Sequence, residues 1–235
     1  MILLLFIILQ SDAKIDSLKK ALSQNPQLPT LVELHNCYLK AGSIKEDLVL
    51  LKEYESLCKS NEKPFLIFII GDDHLFAGNI LLAREEYLRL VAKYPSSENA
   101  NDALERLYLI ESARKDTALL KKLTHSIFLY YVDELNTAED SLKNLLETKL
   151  AAHAYFYLAL VYVKKNDLPL ALGALKELNK SYPDHKIHNA TLLLAEVLIE
   201  SKNKKEAKEV LENLLVEKPT SIYAVRAREI LKQHF

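Results

Sequence analysis

The feature that most constrains this chain is a repeat with a period of 36 residues. Tyr155, Leu158, Ala159, Tyr162, Ala171, Leu175, Leu178 and Pro183 are answered 36 positions later by Thr191, Leu194, Ala195, Leu198, Ala207, Leu211, Leu214 and Pro219. The same register on the earlier chain gives Ile67, Ile70, Gly71, His74, Ala83, Tyr87, Leu90 and Pro95. Two turn-like triplets, Ala41-Gly42-Ser43 and Ala77-Gly78-Asn79, stand at the same separation between apolar helical patterns. Self-similarity on this scale is the signature of an array of small supersecondary units, each burying its apolar face against its neighbours.

The residue types explain the unit. Two helices approach closely only where side chains are small, which Gly71, Ala159 and Ala195 supply on a first helix and Ala83, Ala171 and Ala207 on a second. Large residues three and four positions away fill the groove between them. The proline closes the second helix, because it has no N–H for the ladder and disfavours helical geometry in the residue before it. With 4 Gly and 7 Pro in 235 residues, the composition fits long helices rather than a loop-rich β fold.

These positions resemble the tetratricopeptide repeat, whose usual period is about 34 residues. The resemblance implies an all-α chain, an α-solenoid of tetratricopeptide-like helix-turn-helix repeats. Two weaker repeats extend the array. Residues 28–61 keep Leu31, Leu34, Tyr38, Leu51 and Tyr54 but carry His35 and Asp47 where small residues are expected. Residues 122–150 keep Phe128, Leu129, Ser141 and Leu145, with the turn expected at Asn136. The predicted organisation is an N-terminal apolar segment over 1–13, a cap and two repeats over 14–97, and an extra helix over 98–116. Three repeats over 117–221 and a capping helix over 222–235 follow.

Alanines five and eight residues after a proline, Ala100 and Ala103 and again Ala224 and Ala227, form a narrower pattern. It is similar to the repeats of bacterial envelope proteins of the outer-membrane assembly lipoprotein and Tol–Pal coordinator type, which implies an envelope compartment. MILLLFIILQ, residues 1–10, is the one strongly apolar run and is too short to span a bilayer, which takes about 20 residues. It reads either as the core of a secretory signal ending at Ser11-Asp12-Ala13, placing the protein in the periplasm, or as an apolar helix of a cytoplasmic protein. It touches a membrane only if it is retained as an anchor.

No motif points to catalysis, a cofactor or a metal. Lys and Arg number 31 against 32 Asp and Glu, so no basic excess favours nucleic acid. Asp184-His185-Lys186-Ile187-His188 follows Pro183 and reads as an inter-repeat turn, and Gly71-Asp72-Asp73 falls inside a helix. His35 and His74 occupy helix-packing positions and are expected to be partly buried and hydrogen-bonded. Cys37 and Cys58 fall at opposite ends of one helix pair, about 10 Å apart from the helical rise alone, too far for a disulfide.

In stacked helix pairs the first helices line the concave face. On this register the candidate partner-binding residues are Asn36, Lys40, Phe68, Asp72, Phe76, Tyr130, Phe156, Leu160, Lys164 and Glu196. Aromatic area with scattered polar groups suits a protein or peptide segment. The expected function is a non-enzymatic scaffold or adaptor in envelope assembly, the alternatives being a cytoplasmic assembly factor or a non-catalytic subunit of an enzyme complex.

Overall fold

The computed structural model describes residues 2–219 and 221–235, and the side chains of these except residues 2–11 and 222. The described residues form thirteen helices and no strand. The fold is all-α and of the α-solenoid class, a succession of tetratricopeptide-like helix pairs. The chain divides into two compact units, Met1–Leu107 and Tyr108–Phe235.

The first unit begins with α1 (Ile2–Gln24), which runs unbroken across the expected division at Ala13. Met1 and the side chains of residues 2–11 lie outside the described residues, and so does the expectation of a leader that rests on them. No helix among the described residues is long and apolar enough to cross a membrane. Next come the pairs α2 (Leu28–Ala41) with α3 (Ile44–Glu55) and α4 (Lys63–Phe76) with α5 (Ile80–Lys93). Proline in the first turn of α2 and of α4 suits positions where the backbone N–H has no helical partner. Ile15 and Leu22 of α1 pack with Leu31, Leu34, Tyr38, Leu51, Tyr54, Leu66, Ile69 and Ile70 in one core. Helix α6 (Glu98–Ser112) contributes its first residues, including Arg106, to this unit.

In the second unit α7 (Thr117–Tyr131) pairs with α8 (Leu135–Lys143), α9 (Ala151–Lys164) with α10 (Leu168–Ser181), and α11 (Asn189–Glu200) with α12 (Lys204–Glu217). Helix α13 (Ile222–His234) packs on α11 and α12, burying Tyr223 and Ala227 against Leu192, Ala195, Leu211 and Leu214. The small positions Ala159, Ala171, Ala195 and Ala207 are fully buried, as close helix approach requires.

Every pair turns through the same hydrogen bond. The N–H of Ser43 donates to the carbonyl of Tyr38, that of Asn79 to His74, that of Glu134 to Leu129, that of Asp167 to Tyr162 and that of Asn203 to Leu198, all at 2.8–2.9 Å. This 6→1 bond needs a left-handed residue just before its donor. Gly42 (φ 70°) and Gly78 (φ 77°) supply it in the first unit, and Asp133 (φ 69°), Asn166 (φ 59°) and Lys202 (φ 63°) in the second. The expected turn at Asn136 is corrected: Asn136 lies inside α8, and the chain reverses at Asp133. Asp tolerates the left-handed region without announcing it as Gly does.

Candidate functional site

The expected partner-binding residues of the first unit separate into two groups. Asn36 and Lys40 are exposed on α2, while Phe68 and Phe76 of α4 are half-buried. Asp72 is buried, contrary to the open placement expected of it. Its Oδ1 accepts from Arg106 Nε at 2.8 Å and from the Tyr87 hydroxyl at 2.5 Å, and its Oδ2 accepts from Arg106 Nη2 at 3.0 Å. The Arg106 guanidinium also lies 5.5 Å from the centroid of the Phe68 ring. A planar guanidinium meets a carboxylate through two parallel bonds, which makes such pairs strong and directional. Asp72 and Phe68 therefore tie α6 to the second helix pair.

In the second unit Tyr130 and Lys164 are brought together. Lys164 Nζ donates to the Tyr130 carbonyl at 3.1 Å, lies 4.7 Å from the centroid of the Tyr130 ring, and pairs with the Asp133 carboxylate. The neighbouring Tyr131 is partly exposed and meets Tyr130 edge to face at 5.4 Å. The result is an edge of two tyrosines and two opposite charges at the turn ends of α7 and α9. Leu160 is half-buried and Glu196 exposed. Phe156 is buried, with its ring 5.3 Å from Tyr157, where an open position was expected.

Two charged clusters escaped the sequence reading. Glu139 of α8 accepts from Lys143 at 2.6 Å, from Lys165 at 2.5 Å and from the Tyr162 hydroxyl at 3.2 Å. Its bonds to Lys143 and Lys165 hold its carboxyl down at about 2. The other cluster lies in the first unit. His35 Nδ1 donates to Asp47 Oδ2 at 2.5 Å and stands 4.0 Å from Asp73 Oδ1. All three residues are buried. Burial, and then the neighbouring Asp47 carboxylate, push the Asp73 carboxyl far above the ordinary carboxylate range. The sequence signal was present: His35 and Asp47 are the two departures from the small-residue rule in the first repeat. They stand at the two positions where paired helices come closest, so they meet each other. His188 is held down to about 4, by burial and then by Lys218, whose Nζ lies 2.5 Å from its Nδ1. His185 Nε2 instead faces Asn179 Oδ1 at 3.0 Å.

Cys37 and Cys58 are free and half-buried against the same core of the first unit. An open cleft of about 400 Å³ in the same unit is lined by Lys19 and Leu22 of α1, Tyr38 of α2, and Val49, Leu50, Tyr54 and Leu57 at α3. Neither Asp73, Glu139 nor His188 lines it.

Residues 153–185, the stretch built from α9 and α10, match the tetratricopeptide repeat. No curated protein matches the sequence. Among solved structures, the chain is similar to the TPR2AB domain of yeast Sti1 in its pHSP90 complex. Identity there is 16%, coverage is 97% of this chain and 92% of that one, and the TM-score is 0.43. It is also similar to PilW, described as a widely conserved type IV pilus biogenesis factor, at 17% identity, 86% and 96% coverage and a TM-score of 0.41. A third is YrrB, described as a tetratricopeptide repeat protein with an unusual peptide-binding site, at 14% identity, 92% and 99% coverage and a TM-score of 0.40.

Proposed function

We propose that this chain is a non-enzymatic adaptor that holds a segment of a protein partner against the first helices of its pairs. The observation that carries the reading is the division of labour within those helices. Each buries its small and large apolar positions against its own second helix, yet α2 leaves Asn36 and Lys40, α9 leaves Lys164, and α11 leaves Glu196 in solvent. At the turn ends of α7 and α9, half-buried Tyr130 and exposed Tyr131, Asp133 and Lys164 form an aromatic and charged edge of the kind enriched in protein interfaces. The tetratricopeptide match at 153–185 falls on the pair that carries part of this edge. A catalytic reading lacks comparable support: Asp73, Glu139 and His188 do not line the open cleft, and the shifted groups that do, Lys19 and Tyr54, are both pushed upward, Lys19 by its bond to Tyr38 and Tyr54 by burial, away from the range of a base at neutral pH.

The partner is a protein of the bacterial envelope, and the chain works in the periplasm. Support for this comes from the apolar run MILLLFIILQ with its small-residue boundary at Ala13, and from the paired alanines after Pro95 and Pro219. The test is to capture the partner with the full chain in its native host and to compare two charge-reversed variants. Lys40→Glu with Lys164→Glu alters first helices, whereas Lys208→Glu alters a second helix. Loss of the partner with the first variant and retention with the second is expected. Equal retention by both overturns the assignment, and a partner confined to the cytoplasm overturns the envelope placement.

A further inference from the structure

Three groups that commonly ligate metals converge inside the first helix pairs of the first unit. His35 of α2, Asp47 of α3 and Asp73 of α4 each offer one ligand atom, and these atoms lie within 4.8 Å of one another. All three side chains are shut off from solvent. What sets the cluster apart from a buried ion pair is its unspent capacity. Asp47 Oδ1 and both oxygens of Asp73 have no hydrogen-bond partner. Buried polar groups are almost always satisfied, so three orphaned carboxylate oxygens in one place call for a missing occupant. Two carboxyl groups facing each other in a dry interior are held by a shared proton or by a cation, and a cation beside His35 also engages the oxygens a single proton leaves over.

We propose that His35, Asp47 and Asp73 form a closed structural site for a divalent transition cation of the zinc class. One imidazole with two carboxylates is a donor set that Zn²⁺ and Co²⁺ accept, whereas Ca²⁺ takes six to eight oxygens and Mg²⁺ prefers an octahedron of oxygens with several waters. Two carboxylates balance the charge of the ion with His35 neutral. A second oxygen from Asp47 or Asp73, each with one to spare, completes four-coordination without a water. The fit is close. A zinc ion about 2.1 Å from each donor in tetrahedral geometry sets donors roughly 3.4 Å apart. The present separations from His35 Nδ1 are 2.5 Å to Asp47 Oδ2 and 4.0 Å to Asp73 Oδ1. The first must open and the second close, each by less than about 1 Å. An ion there clamps α4 to the pair formed by α2 and α3. In the other helix pairs the corresponding positions are small, as at Gly71 with Ala83, Ala159 with Ala171 and Ala195 with Ala207.

The experiment uses the full chain without an added histidine tag, stripped by chelator and titrated with Co²⁺ and then Zn²⁺. One Co²⁺ per chain with the intense visible absorption of four-coordination is expected, displaced by Zn²⁺. Asp73→Asn, which keeps the shape and removes a ligand, weakens binding by at least about 10–100-fold. A His185→Gln/His188→Gln variant, which removes the other histidine pair, leaves binding unchanged. X-ray absorption of the zinc-loaded wild type supplies a measurement independent of variant folding: one imidazole and carboxylate oxygens in the first shell. Absence of stoichiometric binding overturns the proposal, and the cluster is then held by protons. So does binding that survives Asp73→Asn, disappears in the His185/His188 variant, or shows two imidazoles.

Discussion

Replacing Arg106 by Met isolates the contact that fastens α6 to the second helix pair. The change keeps much of the side-chain volume and removes the guanidinium. Arg106 and Asp72 are 8% and 5% exposed, so solvent cannot take over the lost bonds. Asp72 would keep only the Tyr87 hydroxyl of its three side-chain donors. Leaving a buried charge without its partner costs about 3–5 kcal/mol. For a chain of this size each kcal/mol shifts the unfolding midpoint by about 2–4 °C, giving a fall of roughly 6–20 °C. Adding Asp72→Asn removes the stranded charge while keeping an acceptor for Tyr87. The double variant should therefore recover about 1–3 kcal/mol relative to the sum of the single variants. The assay is urea and thermal unfolding followed by circular dichroism for all four members of the cycle. An Arg106→Met loss below about 1 kcal/mol, or strict additivity, would refute the buried fork as the fastening of α6.

Gly71→Ala should destabilise by about 1–3 kcal/mol through overpacking, because the new Cβ would sit 2.5 Å from Tyr87 Cε1. Tyr87 is fully buried and tied to Asp72, so it cannot swing away. Gly42→Ala should cost about 1–2 kcal/mol for a different reason: nothing lies within 4 Å of its Cβ, but φ is 70°. Urea midpoints of both variants check the pair of predictions. Glu139, whose folded carboxyl lies below its unfolded value near 4.5, stabilises the fold fully above that value. Its contribution is lost as pH falls toward about 2, so the gap in melting temperature between wild type and Glu139→Gln should shrink between pH 6 and pH 3.

The helix pairs were legible because their contacts are local and their chemistry is repetitive. Ala159, Ala171, Ala195 and Ala207 are small for one reason, and spacing alone reveals it. The turns were legible only where the left-handed residue is glycine. Gly42 and Gly78 mark themselves, whereas Asp133, Asn166 and Lys202 adopt the same backbone with side chains that occur anywhere on a helix surface. In the third pair the spacing therefore points to Asn136, whereas the backbone reverses at Asp133. The open face was harder to read. Asp72 occupies a concave register position, yet a residue 34 positions away turns inward to claim it, and no periodicity within one repeat encodes that pairing. Phe156 is drawn into the packing beside Tyr157 in the same way. His35 and Asp47 each looked like a flaw in a repeat. Together they meet at one buried contact, which becomes visible only when the two closest-approach positions are considered as a pair.

The central claim is that the first helices of the pairs receive a protein segment. Hydrogen exchange of the full chain, with and without the captured partner, tests it most directly. Protection concentrated in α2, α4, α7, α9 and α11, with α3, α5, α8, α10 and α12 unchanged, is the predicted result. Protection confined to the second helices, or spread equally over both members of every pair, would contradict it.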